Sequence, residues 1–168
     1  MPENHKISQT ASVDSIWEEI VWFQSRAGVD PDAKDLIAQV APILERVERV
    51  RIDQYRKWQA ELLAQAKVDY MDTRLDVTVR EIDSALYGVS LRNRRSPRYT
   101  RYFPNKPSDL IRLGLETELG RVIPWIQSLK TEPEPELQAL ANRLEKDIAD
   151  SRSALEQRIM AVAATADH

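Results

Sequence analysis

From Ile43 to Tyr87 the chain runs for 45 residues without a glycine or a proline, the two residues that most often end a helix. As a single α-helix this run would be about 68 Å long at 1.5 Å per residue. A compact globule of this chain length should measure only roughly 40 Å across. The run is therefore broken by something other than glycine or proline, or the molecule is elongated. Because Pro42 lies inside the periodic pattern, we expect a kink or a break there, between helices at 31–41 and 43–90.

Apolar residues in and around this run repeat in steps of four and three, the spacing of a helix that packs along one side. The repeat comprises Leu36, Val40, Ile43, Val47 and Val50, and again Leu75, Val79, Ile82, Leu86 and Val89. Between these two sets the apolar residues step by four from Trp58 to Tyr70, so the apolar stripe drifts around the helix. A drift suits different neighbours better than one unbroken coiled coil. We expect one continuous, bent helix, and two helices that separate between residues 69 and 78 are the alternative.

Three further helices are predicted from apolar periodicity, at 15–27, 109–130 and 135–164. No stretch has the strict alternation of a half-buried strand. The sequence therefore predicts an all-α fold, an elongated bundle of four or five helices with one long helix. We expect a single domain over residues 13–165, after a flexible tail at 1–12.

Composition excludes several classes of protein. With 42% hydrophobic residues the chain is too apolar to be disordered, and without cysteine it has no disulfide, thiolate metal site or thiol nucleophile. The two histidines, His5 and His168, lie near opposite ends, and the four glycines are isolated, so no catalytic triad or phosphate-binding loop is expected. No signal peptide or membrane span is apparent, which predicts a cytoplasmic protein. We expect neither an enzyme nor a bound cofactor.

A basic segment, residues 92–107, is predicted to be a loop, because it interrupts the helical pattern with three prolines and no periodic apolar face. Its five arginines include the candidate anion-binding set, which is Arg94, Arg95, Arg98 and Arg101 together with Tyr99. Guanidinium groups bind phosphate and carboxylate, and a tyrosine ring can stack on an unpaired base. Because the whole chain has a net charge of −3, pairing with acidic helices of this chain or of a second copy is favoured over nucleic-acid binding. We expect Tyr102 and Phe103 to hold the segment against the core.

A row of aspartates is the second candidate site. Asp69, Asp72, Asp76 and Asp83 are three, four and seven residues apart, which places the four carboxylates near one face of a helix. Such a row could hold Mg²⁺ or Mn²⁺ for phosphoester hydrolysis. A solvated face that pairs with neighbouring arginines is the simpler interpretation, and the sequence favours it.

Aromatic residues are the third candidate. Most of them, Trp22 and Trp58 included, are expected to form core, but aromatic side chains also dominate protein interfaces, and shorter helices could not cover the whole of the long helix. The sequence therefore favours a non-enzymatic interaction or scaffold protein that associates with itself through the long helix. Nucleic-acid binding by residues 92–103 and metal-dependent hydrolysis by the aspartate row remain the alternatives.

Overall fold

The computed structural model describes residues 11–166, and this part of the chain is all-α, without a β-strand. It contains one short 3-10 helix, Pro31–Ala33, and seven α-helices where four or five were expected. The α-helices are α1 (Val13–Ala27), α2 (Lys34–Val89), α3 (Pro97–Thr100), α4 (Pro107–Ile111), α5 (Leu115–Val122), α6 (Trp125–Lys130) and α7 (Pro135–Ala166). Most of the predicted tail at 1–12 lies outside the described residues.

Helix α2 confirms the prediction of one long helix, with 56 residues from Lys34 to Val89. The predicted separate helices at 31–41 and 43–90 are wrong, because α2 continues through Pro42. Proline lacks the N–H that would bond to the carbonyl of Ala38, and both residues are exposed, so that water can replace this bond. After Val89 the chain turns through Leu91 and Arg92, whose φ angles are +54° and +55°.

The contacts divide the chain between Gln59 and Ala60 into two compact units, so that each unit contains part of α2. In the first unit, Ser12 caps α1 by accepting a hydrogen bond from the backbone N–H of Ser15, and the helix begins two residues before the predicted start. Arg51 of α2 donates to Asp14 of α1 over 2.6 Å and lies over the ring of Trp17. That the two units form a single domain stays a prediction.

The second unit contains the hydrophobic core, which α2, α5, α6 and α7 build together with the basic segment. Its fully buried members include Leu75, Val79, Ile82, Leu86, Val122, Leu129, Leu137, Ala141 and Leu144. The predicted helix at 109–130 is wrong, since the chain forms α4, α5 and α6 there. Gly114 has a φ of +75°, which favours glycine and stops α4 from continuing, and Pro124 precedes α6.

A buried polar lock joins α2 to α7 within this core. Thr78, which is fully buried, donates a hydrogen bond of 2.6 Å to Asp147, and Arg74 binds the other carboxylate oxygen of Asp147 at 2.6 Å. Arg74 also reaches Asp150 at 3.1 Å, nearer the surface. The lock fixes the register of the two helices, because a shift of one residue would leave a buried carboxylate without its cation.

Candidate functional site

The first unit buries few of its apolar side chains and exposes eight large ones. Between residues 11 and 59 only Ile20, Ala27 and Ala33 are buried. The exposed apolar side chains are Trp22, Val29, Leu36, Ile43, Val50, Ile52, Tyr55 and Trp58. Single exposed apolar residues are normal on a protein surface, but a concentration of this size marks an interaction surface.

Part of this exposed set lies on one face of α2. Leu36, Ile43 and Val50 are seven residues apart, which brings them to nearly the same angle around the helix axis. Val40 and Val47 lie beside them and are half-buried. We call these five residues the apolar stripe. Its central side chain, Ile43, is 53% exposed.

A small cavity adjoins the apolar stripe. It has a volume of about 280 Å³ and lies between α1 and the first turns of α2. Its walls are Ile16, Glu19, Ile20, Trp22, Phe23, Val40 and Ile43, of which Glu19 alone carries a charge. The cavity is large enough to accept an apolar side chain from a partner.

The two predicted interface tryptophans are both half-exposed, Trp22 at 48% and Trp58 at 51%. Trp22 has the guanidinium of Arg26 over its ring at 5.1 Å. The ring of Trp58 lies 5.7 Å from that of Tyr55, which is also exposed. Their accessibility suits the predicted apolar interface.

Carboxylates of the same chain pair with three of the four predicted anion-binding arginines. Arg98 donates through Nε and Nη2 to Glu132, at 2.9 and 2.6 Å, and also binds Glu134. The pKa of Glu134 is lowered by its hydrogen bond from Arg98. Arg101 lies farther from Glu132, at 3.9 Å. The internal pairing that the sequence favoured is therefore observed for these residues.

Arg94 completes this pairing on the other side of the segment. Its guanidinium is 3.2 Å from Asp83 and lies over the rings of Tyr87 and Tyr99. The fourth member of the set, Arg95, is exposed and forms no ion pair with any residue between 11 and 166. Arg95 is therefore the member of the set that could meet an outside anion without breaking an internal pair.

The predicted exposed role of Tyr99 is wrong. Tyr99 is only 2% exposed and donates a hydrogen bond to Asp83, and burial raises the pKa of its hydroxyl. Because Ser96 caps α3 and turns the chain inward, the ring packs against Phe103 instead of facing solvent. Tyr102 and Phe103 are buried as well, which confirms that they hold the segment against the core.

Glu132 is the hub of this network. The residue is buried, and it accepts hydrogen bonds from Arg98 at one carboxylate oxygen and from the hydroxyl of Tyr102, at 2.9 Å, at the other.

We expect Glu132→Gln to lower the free energy of unfolding by about 1.5–3 kcal/mol. The amide of glutamine has one oxygen and one NH₂ group, so it can accept a hydrogen bond on one side only, and either Arg98 or Tyr102 loses its acceptor. Urea unfolding followed by circular dichroism measures the change. Glu136→Gln, at an exposed position nearby, is the matched control, and an equal effect of both changes would contradict the hub.

The aspartate row pairs with arginines, as the sequence favoured, but only Asp69 of the four is exposed to solvent. Asp76 pairs with Arg80 at 3.5 Å and Asp83 pairs with Arg94. Asp69 accepts a hydrogen bond from Gln65 at 2.7 Å. Asp72 and Asp76 are partly buried, which raises the pKa of both carboxyl groups. Among residues 11–166, no group of three or more acidic, histidine or cysteine side chains could hold a metal ion.

Sequence reasoning missed one acidic residue that faces this row. Glu118 of α5 is fully buried, and its carboxyl group lies within hydrogen-bonding distance of the Asp76 carboxyl group. Burial and then the negative charges of Asp76 and Asp72 raise the pKa of Glu118 to about 8. Its position on the apolar side of α5, between Leu115 and Leu119, was the available signal.

Comparisons with known proteins give no relative. No family model matches the chain, and no curated protein or solved structure is significantly similar to it. Within residues 11–166, no helix combines the length and the apolar character that a membrane span needs. A functional assignment therefore depends on the geometry and chemistry of the residues themselves.

Proposed function

We propose that this chain is a non-enzymatic interaction or scaffold protein that associates with a second copy of itself through the apolar stripe. One observation carries the proposal. Between residues 11 and 59 three apolar side chains are buried, whereas eight large ones, including Leu36, Ile43 and Val50, are exposed. Covering such a surface is favourable by about 25 cal/mol per Å² of apolar area, so that a partner would stabilise it.

A second copy fits this surface for two reasons. The spacing of seven residues along the stripe is that of helices which pair side by side, with each apolar side chain placed between those of the partner. The charges are also self-complementary. Helix α1 has three acidic residues and one basic residue, whereas residues 34–59 have six basic and four acidic residues. A twofold arrangement would set α1 of one copy near α2 of the other.

The other two functions have less support. For nucleic-acid binding by residues 92–103, Arg94, Arg98 and Arg101 would first have to leave carboxylates of their own chain. For phosphoester hydrolysis, the row would need at least three carboxylates close enough to bind one metal ion, and residues 11–166 contain no such cluster. If the wild-type chain shifts a nucleic acid in a gel at low salt and Arg95→Ala does not, nucleic-acid binding would become the better assignment.

A charge placed in the middle of the stripe tests the proposal. We expect Ile43→Glu to convert the wild-type dimer to a monomer, because the new carboxylate would be buried against an apolar partner. Sedimentation velocity at matched concentrations measures the change. Since Ile43 is half-exposed, the monomer itself should keep its helical circular dichroism signal.

Ile52→Glu is the matched control for this variant. Ile52 is also about half-exposed and lies nine residues further along α2, which is 900° or half a turn away from Ile43 around the helix axis. The same chemical change is therefore made on the opposite side of the same helix. Dissociation by both variants or by neither would contradict pairing through the stripe.

A further inference from the structure

The second unit contains a cavity of about 320 Å³, distant in sequence from the apolar stripe. It is formed by the end of the basic segment, by α4 and by the adjoining ends of α5 and α6. Its volume is near the lower end of the range for small-molecule sites. The side chains that define its character are Arg101, Phe103, Lys106, Leu113, Arg121 and Trp125.

The floor of the cavity is aromatic and rigid. The rings of Phe103 and Trp125 meet edge to face with their centres 5.0 Å apart, and both side chains are buried. The ring of Tyr102 also packs edge to face on Trp125, with the centres 5.9 Å apart, and its hydroxyl is hydrogen-bonded to Ser128 and Glu132. Such a floor is formed before a ligand arrives, so that binding does not have to order it.

The rim of the cavity is basic. Arg101, Lys106 and Arg121 are exposed there, against the single carboxylate of Asp109, which leaves an excess of two positive charges. Within the described chain Lys106 and Arg121 form no ion pair, and the nearest carboxylate to Arg101 is that of Glu132 at 3.9 Å. Lys106 and Arg121 are thus available to an anion from solution, and Arg101 would join them by leaving Glu132.

We propose that this cavity binds a small organic anion, made of one flat apolar group and one carboxylate or phosphate. The apolar group lies on Phe103 and Trp125 beside Leu113, and the anionic group is held at the rim by Arg101, Lys106 and Arg121. An apolar floor and a cationic edge select for both parts together, because a neutral ring loses the charge-assisted bonds and a bare anion loses the apolar contact. The size of the cavity limits the ligand to about one ring system.

Titration of the ¹⁵N-labelled full chain with 1-naphthyl phosphate, 1-naphthoate and neutral 1-naphthol, followed by amide NMR, tests the proposal. We expect both anions to shift amides at 101–113 and 121–125, and to bind about tenfold more tightly than naphthol. A preference for either anion supports the proposal and identifies its head group. Equal binding of naphthol, or shifts confined to other residues, would overturn it.

Arg121→Glu should weaken binding of the preferred anion about tenfold or more, because it replaces an attraction at the rim by a repulsion. Arg112→Glu makes the same change of charge at an exposed residue outside the cavity and should leave binding unchanged. Leu113→Asn, also at an exposed position, tests the apolar part without adding a charge or disturbing the core and should weaken binding as well. Equal affinities of wild type and Arg121→Glu would overturn the proposal.

Discussion

Replacing Asp147 by alanine is expected to lower the free energy of unfolding by about 3–5 kcal/mol. Asp147 is 1% exposed, and its two oxygens face the hydroxyl of Thr78 and the guanidinium of Arg74, each at 2.6 Å. Without the carboxylate, the fully buried Thr78 loses its acceptor and Arg74 keeps a partly buried charge with one partner fewer. Most of the expected effect comes from burying the Thr78 hydroxyl and the Arg74 guanidinium without their partner, and less from the loss of the ion pair itself.

Urea unfolding at neutral pH, followed by circular dichroism, measures this loss. Asp150→Ala is the matched control, because Asp150 binds the same Arg74 from the same helix at 3.1 Å but is only partly buried. Exposed ion pairs contribute at most about 1 kcal/mol. If Asp147→Ala lowers the free energy of unfolding no more than Asp150→Ala does, the buried contacts of Asp147 do not hold α2 against α7.

The stability of the second unit is expected to fall as the pH rises from about 5 to about 8. Folded Glu118 keeps its proton up to a pKa of about 8, whereas the same group in the unfolded chain loses it near 4.5. Between these values the folded state binds more protons than the unfolded state, so raising the pH favours unfolding. Burial raises the pKa of Asp72 and Asp76 as well, and they act in the same direction.

We expect Glu118 alone to account for a decrease of about 2–4 kcal/mol over this range, since each pKa unit corresponds to about 1.4 kcal/mol. Glu118→Gln keeps the shape of the side chain and removes its ionisation. The free energy of unfolding of this variant should therefore change much less between about pH 5 and about pH 8. Glu116→Gln, at an exposed position on the same helix, is the control and should behave like wild type. Parallel pH profiles for wild type and Glu118→Gln would contradict a buried carboxyl that keeps its proton.

Local sequence signals predicted the helices well where no tertiary contact decides the outcome. Absence of glycine and proline gave the long helix, and apolar periodicity placed the last helix at 135–164, against the observed Pro135–Ala166. The predicted helix at 109–130 is wrong because Gly114 and Pro124 interrupt a continuous apolar pattern. The breaks at these two residues reflect backbone geometry, which periodicity does not encode.

The candidate sites were harder to predict, because charged residues were assumed to face water. Asp147 lies between Leu144 and Ser151 on the buried side of α7, and Glu118 lies on the buried side of α5. Their spacing from apolar neighbours by three and four residues places both on the core-facing side. Which acidic residues find a partner there depends on the facing helix, and a sequence read one helix at a time does not contain that information. For the same reason the inward position of Tyr99 was missed.

Light scattering of the wild-type chain over a wide range of concentrations tests the central claim, association through the apolar stripe, most directly. We predict a mass that rises with concentration and levels off at twice the 19.3 kDa of the single chain. The plateau should persist at high salt, since apolar contacts are not screened as ion pairs are. A mass of 19.3 kDa at every concentration would contradict the claim.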